Sequence, residues 1–441
     1  MADTQAAARP RVVVAGAGFG GLTCVRALRN APVEITLLDQ RNHHLFQPLL
    51  YQVATAGLSP GDIAAPTRAI LRYQRNVTVA LERVIGVDTV ARCVRCETGA
   101  EWPYDMLVLA TGATHAYFGH DEWAGIAHGL KTVEDATYLR RRILLAFERA
   151  ETTADPVERD RLMTFAIIGG GPTGVEMAGA IAELSRVGLA MDFRVIDPAR
   201  ARVVLIEAGP RLLPAFPEKL SEVARQAVTS LGAEVRLGTP VTAVAEDHVM
   251  IGEERLPVGT VIWAAGVAAS PAARWLGAEA DRAGRVLVDP DLSVPGHPDI
   301  FVIGDTAAVQ QPDGRPVPGI APAAKQMGSY VAQVIQARAT GGAAPAPFRY
   351  HSMGNLATIG RHRAICDFGS VWITGALGWF IWCVAHIYFL IGFRNRVLVM
   401  LQWIWAYFTY RGGTRLITEA IPPPRQVAAP QPASAPSQKV A

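Results

Sequence analysis

Short, unbroken apolar runs closed by glycine set the rhythm of most of the chain. Residues 11–39 read as an apolar strand, a glycine turn, a helix, a second apolar strand and a terminal acid, Asp39. The same order recurs at 165–207, where FAIIGGGPTGVEMAGAIAEL leads on to VVLIE and ends at Glu207. A repeated strand, glycine turn and helix predicts two βαβ units in one chain, an α/β fold of two Rossmann-like domains.

Later segments return to the first unit. EWPYDMLVLATGA (101–113) predicts a strand pair ending in a glycine turn, and TVIWAAGV (260–267) repeats that arrangement after the second unit. DIFVIGDTA (299–307) predicts a buried strand ending at Gly304 and Asp305. These returns imply that the second unit is inserted into the first. The expected division is a first nucleotide domain in two parts, 1–150 and 276–340, around an inserted domain at 151–275. Residues 151–160 read as a polar connection and GGAAPAP (341–347) as a linker.

At residue 371 the pattern changes. VWITGALGWFIWCVAHIYFLIGF carries no formal charge and is followed by RNR and then VLVMLQWIWAYFTYR. The run meets the ~20-residue length needed to cross a bilayer, yet its Trp and Tyr density favours the interface. Arg394, Arg396, Arg411 and Arg415 flank the apolar stretches, and no acid falls between Asp367 and Glu419. That pattern predicts a membrane-associating region over 341–420, lying on anionic lipid rather than spanning it. The alternative cover for the apolar helix is a homodimer interface. The Pro/Ala-rich segment 421–441 is expected to be a disordered tail.

Composition adds little to this and excludes several classes. Half of the residues are apolar, which again points to a surface that meets lipid. A net charge of +3 with both signs scattered leaves no basic stripe for nucleic acid. The N-terminus has no signal-peptide h-region, so the main body is expected in the cytosol. Five unevenly spaced cysteines describe no disulfide framework, and Cys93 and Cys96 lie in a strand-and-turn context that reads as structural. No His/Cys cluster has metal spacing and no G-x-S-x-G elbow is present.

The glycine turns carry the chemistry. Gly16, Gly18 and Gly21 sit between strand and helix, with Asp39 at the spacing of a ribose-binding acid. Missing side chains let the backbone approach a pyrophosphate at the positive helix end. Gly169, Gly171 and Gly174 repeat the fingerprint, with Glu207 placed to accept from a free 2′-hydroxyl and to repel a 2′-phosphate. Two such sites imply two cofactors, a retained flavin and a nicotinamide that delivers hydride. Asp305, following a buried strand and a glycine, needs a polar partner that a flavin would supply. His386 reads as a packed or interfacial histidine.

HHLFQPLLYQVATAGLSP (43–60), LATGA, IIGGGPTGVEMAGAIAEL, FVIGDTA, PGIAPAAKQMGSYVA and NLATIGRHRA together resemble the bacterial type II NADH:quinone oxidoreductases, over about residues 11–418. The resemblance implies a glutathione-reductase-like two-dinucleotide flavoprotein. It implies that Gly16, Gly18, Gly21, Asp39, Thr111, Gly112, Gly304 and Asp305 hold FAD, with Phe46, Gln47 and Pro48 beside its ring. It further implies that Gly169, Gly171, Gly174, Glu176, Glu207 and Gly266 serve NADH, with Glu176 close to the nicotinamide. Lys325 and Gln326 match the quinone-side motif, whereas Pro322 stands where many members carry glutamine. The bland readings are a helix-start carboxylate for Glu176 and a solvated lysine for Lys325.

The expected reaction is hydride transfer from NADH to FAD and two-electron reduction of a membrane quinone, without proton pumping, at the cytoplasmic face of the bacterial inner membrane. A sulfide:quinone oxidoreductase is the nearest enzymatic rival, but it needs paired cysteines at the flavin. A non-catalytic, NADH-sensing membrane flavoprotein is the rival of another class.

Overall fold

The structure, a computed structural model, describes residues 9–409 and 414–418. The expected tail at 421–441, Arg411 and the first eight residues lie outside the described residues. The first unit opens with β1 (Arg11–Ala15), α1 (Phe19–Ala27) and β2 (Glu34–Asp39), followed by α2 (Leu50–Ala54), β3 (Val77–Leu81) and β4 (Met106–Leu109). Val12, Val14, Leu107 and Val108 are fully buried, as a parallel sheet covered on both faces requires.

After α3 (Val133–Thr152), the second unit runs β5 (Thr164–Ile168), α4 (Pro172–Glu183), β6 (Arg202–Glu207), β7 (Glu234–Leu237) and β8 (Thr260–Trp263). Its sheet is all parallel, in the order Ala127–His128, β8, β5, β6, β7. The chain then returns through β9 (Ser293–Val294) and β10 (His297–Val302). These complete the first sheet in the order β9, β10, β4, β1, β2, β3, with only β9 antiparallel. An antiparallel ribbon, Ala113–His115 against Val267–Ala269, ties the two units where both crossings occur.

The polar stretch 151–160 is largely helical. Helix α3 runs on to Thr152, and Asp155 caps a new helix, Pro156–Leu162, by accepting from the Val157 amide at 2.9 Å. Proline at the first helical position needs no amide partner, so the break costs only a few residues.

Helix α5 (Ala321–Thr340) crosses α1 at a glycine pair, where a Cβ on Gly328 would lie 2.2 Å from the Gly20 carbonyl oxygen. Beyond it, the strands Asn355–Thr358, Ala364–Asp367 and Trp372–Thr374 form an antiparallel sheet that leads into α6 (Gly375–Phe389) and α7 (Phe393–Thr409). The uncharged run that begins at 371 is therefore broken three ways: a strand, a helix, then a turn at Leu390–Gly392. Among the described residues no helix is long and apolar enough to cross a membrane.

Helices α6 and α7 dock on residues of both units, with Trp403 Nε1 donating to Gln52 Oε1 at 2.8 Å and Asn395 Nδ2 to the Ala64 carbonyl at 3.4 Å on the first-unit side. Trp382, Leu390 and Val399 sink into the same apolar core as Phe165, Val175 and Ile181. The opposite faces stay bare: Leu377, Phe380, Val384 and Tyr388 on α6, and Leu401, Ile404, Trp405 and Phe408 on α7. Their spacing of three and four residues makes one apolar stripe per helix.

The α1–α5 crossing leaves no room for a methyl group. Gly328→Ala is expected to cost about 2 kcal/mol or more, since neither backbone can move far without disturbing the first glycine turn. Thermal unfolding of the purified variant against the parent checks this.

Candidate functional site

Each unit presents the same cradle between a strand and a helix. Gly16 has φ +104°, and a Cβ there would lie 2.3 Å from the Ala110 carbonyl oxygen. A Cβ on Gly21 would lie 1.9 Å from the Gly16 carbonyl oxygen, so helix and turn pack backbone to backbone. In the second unit Gly169 has φ +115°, and a Cβ on Gly174 would lie 1.8 Å from the Gly169 carbonyl oxygen. Gly18 and Gly171, by contrast, face open space at the helix starts, and neither N-cap is satisfied by a side chain. Unsatisfied amides with room above them are what a pyrophosphate needs.

The two acids hold these turns in shape. Asp39 Oδ2 accepts from the Ala17 amide at 2.5 Å and Oδ1 from Arg41 at 2.7 Å. Glu207 Oε2 accepts from Gly170 at 2.6 Å and Oε1 from Gly209 at 2.7 Å. Burial pushes the Asp39 carboxyl up while these amides pull it back. Each carboxylate retains lone pairs for a ribose hydroxyl. His44, buried, donates from Nδ1 to the Ala17 carbonyl at 2.9 Å, so Ala17 is held at both ends. Arg211, near Glu207 in sequence, donates instead to the Pro214 carbonyl at 3.0 Å.

Between the cradles, several expected residues converge. Thr111 and Ser270 hydroxyls meet at 2.5 Å. The Gly112 carbonyl accepts from the Ser270 amide at 3.0 Å and the Thr306 hydroxyl at 3.1 Å. Gly304, with φ +71°, donates to Met327 Sδ at 3.1 Å, which turns Asp305 toward Lys131 Nζ at 3.9 Å. Gln47 Nε2 donates to the Lys131 carbonyl at 3.2 Å. Pro48 is the second residue of the short helix Gln47–Leu49. Gly266 lies against the Phe118 ring, which a Cβ would meet at 2.5 Å. Lys131 and Ser270 carried no signal in the sequence.

Glu176 sits in the second turn of α4, two residues past Gly174. The protein encloses it densely although part of its surface stays open, and that desolvation pushes its carboxyl up to about 8 against the pull of the Thr358 amide. It is therefore protonated at neutral pH. Tyr51 of α2 is raised well above the usual phenol range, first by burial and then by the nearby Glu176.

Phe46 lies between the first cradle and α6. Its ring meets Phe19 edge-on at 5.9 Å and His386 at 6.1 Å. His386 stacks on Trp382 at 4.0 Å and donates to the Trp382 carbonyl, and burial lowers it to about 4, so it is a neutral, packed histidine. Lys325 places its ammonium 4.7 Å from the Phe389 ring centroid, half-enclosed and lowered by burial and by Arg26 and Arg396. A cavity of about 790 Å³ opens here, lined by Pro322, Lys325, Gln326, Tyr330, Phe348 and Phe389 among others. Gln326 has its amide engaged at both ends: Nε2 donates to the His351 carbonyl at 2.9 Å, and Oε1 accepts the His351 amide at 3.0 Å. It clips the 341–351 linker to α5.

Cys93 and Cys96 occupy the strand Cys93–Cys96, buried and free, and burial raises the Cys96 thiol to about 11. All five cysteines are free. A neutral thiol in a packed strand is a poor nucleophile.

Residues 10–328 match the pyridine nucleotide-disulphide oxidoreductase family, and 352–412 match the NDH2 C-terminal domain. The chain is 45% identical over 426 residues to the type II NADH:quinone oxidoreductase Ndh of Mycobacterium tuberculosis, covering 93% of this chain and 91% of that one. Its similarity to NdhA of the same organism is also 45%, over 93% and 90%. The structure of NDH2 from Plasmodium falciparum in complex with NADH superposes with a TM-score of 0.83 at 20% identity, covering 93% of this chain and all of that one, a likeness of fold.

The cradle geometry separates the two nucleotide sites experimentally. Gly21→Ala is expected to yield protein that has lost its yellow colour, and Gly174→Ala protein that stays yellow but needs at least about tenfold more NADH. Absorbance at the flavin band and NADH titration of the same preparations distinguish them.

Proposed function

The chain belongs to the type II NADH:quinone oxidoreductases, within the pyridine nucleotide-disulphide oxidoreductase family, and from that premise we propose how its residues divide the work. The enzyme oxidises NADH through FAD and reduces a quinone. One observation carries the assignment of sites: two cradles of identical build, each locked by its own acid, meet at the Thr111–Gly112 and Gly266 segments. FAD belongs to the first cradle, with Asp39, Thr111, Gly112 and Asp305, and NADH to the second, with Glu207 and Gly266. The fit rests on the protein alone: amides left free at both helix starts, and glycines at which any side chain would collide.

Bound FAD supplies a two-electron store between nicotinamide and quinone. Around it the chain orients and screens. Asp39 and His44 fix the first turn from its amide and its carbonyl. Lys131 balances Asp305. Phe46, Phe19 and Trp382 keep water from the space beside Gln47 and Pro48. Glu176, holding a proton at neutral pH, is the proton source for the reduced acceptor, and the raised Tyr51 phenol beside it stays protonated. The quinone head enters by the cavity at Lys325. Its cationic contacts are Lys325 and Arg349, while Pro322 offers no donor and Gln326 is engaged with His351.

Members of the family are peripheral membrane proteins. Attachment through the bare stripes of α6 and α7, to the cytoplasmic face of a bacterial inner membrane, explains why charge is absent there and why Arg394 and Arg396 stand at the start of α7. A homodimer covering the same stripes is the competing arrangement.

Excess NADH without oxygen is expected to bleach the flavin, and a soluble quinone to restore it; a flavin that stays oxidised would overturn the assignment. Reoxidation should fall as pH rises through about 8, because the Glu176 proton is present below that value and gone above it. Glu176→Gln should be slower by at least about tenfold and lose this limb of the pH profile in stopped-flow traces.

The attachment is tested separately. Trp405→Asp with Phe408→Asp is expected to weaken flotation with phosphatidylethanolamine–phosphatidylglycerol vesicles at least about tenfold, through lost apolar burial. Unchanged flotation would remove α7 from the contact.

A further inference from the structure

We propose that the loop 187–195 of the second unit is a further membrane contact, inserting Val187, Met191 and Val195 into the bilayer interface beside α7. The inference rests on the attachment through α6 and α7. No part of the loop belongs to either nucleotide cradle.

The loop presents apolar side chains to water while being held rigidly from within. Met191 is 83% exposed, Val195 62% and Val187 46%. Leu189 and Ile196 point inward and are buried. The Glu151 carboxylate, at the end of α3, accepts the amides of Arg194 at 2.9 Å, Val195 at 3.0 Å and Ile196 at 3.0 Å. Three backbone amides on one carboxylate fix a shape that flexible loops do not keep. Arg194 folds back to donate to the Met191 carbonyl at 3.0 Å, leaving the methionine side chain outermost.

Its position joins it to the α7 stripe. Past α7, Thr414 donates to the Ala56 carbonyl at 2.9 Å, and Arg415 donates to the Gly188 carbonyl at 2.5 Å and pairs with Asp192. Val187, Gly188, Tyr407 and Arg415 border one small cavity of about 130 Å³. The loop therefore lies alongside the end of α7, where Trp405, Phe408 and Leu416 are exposed at 63%, 76% and 63%. Apolar side chains are thus exposed both at the end of the helix and on the neighbouring loop. Its charges comprise Arg186, Arg194 and Arg415 against Glu151 and Asp192, a small cationic excess suited to anionic headgroups. A lipid interface is the occupant this favours, since exposed apolar side chains within a slightly cationic surround match the chemistry of interfacial insertion.

The test uses the holoenzyme carrying Met191→Cys, labelled with an environment-sensitive fluorophore, with Val90→Cys as reference. Val90 is 95% exposed, in the turn joining the strands Val84–Asp88 and Cys93–Cys96 of the first unit. On adding phosphatidylethanolamine–phosphatidylglycerol vesicles, the label at 191 is expected to shift to the blue and be quenched by lipid-borne nitroxide, and the label at 90 to do neither. Met191→Asp with Val195→Asp should weaken flotation about tenfold with flavin content unchanged. Protein that floats while the label at 191 stays in water overturns the loop contact and leaves the α7 attachment standing. Protein that fails to float with its sequence intact removes both.

Discussion

Backbone packed against backbone is the constraint from which the active site follows. At Gly21 and Gly174 the helix lies so close to the preceding turn that no Cβ fits, and this closeness aims the free amides of the helix start at one point in space. Such a turn requires glycine, with φ near +104° at Gly16 and +115° at Gly169. The carboxylates of Asp39 and Glu207 hold it by accepting amides from the turn itself. Each acid is thus part of the construction of its turn.

Enclosure then sets the protonation states. Glu176 and His386 are both shifted toward neutrality by burial, the one to about 8 and the other to about 4. Lys325 and Arg349 are the charged groups at the cavity beside Phe389, and the Lys325 ammonium is tempered by burial and by the Phe389 ring. A site that must pass both hydride and an apolar ring has little use for strong fixed charge.

The C-terminal helices belong to this arrangement rather than hanging from it. By sinking Trp382 and Val399 into the apolar core that holds both Leu50 and Phe165, they bring His386 to Phe46 and Phe389 to Lys325, and leave their outer stripes exposed. Gln326 contributes by clipping the linker. The sequence motif assigned it to the quinone side, but could not reveal that its amide is engaged by the backbone of a residue twenty-five positions away.

Local features were legible in adjacent residues: both glycine turns, the acids that close them, the buried strand ahead of Asp305 and the change of character at residue 371. Each is written in adjacent residues because backbone conformation and strand or helix periodicity act over a few positions. Tertiary structure decided what distance along the chain conceals. It split the apolar run so that, among the described residues, no helix is long and apolar enough to cross a membrane; it made helix of the polar stretch at 151–160, and brought Lys131 to Asp305 and Ser270 to Thr111. It also set the charge of Glu176, since desolvation depends on what surrounds a group from every side, and those neighbours arrive from Tyr51 and Thr358, far away in sequence.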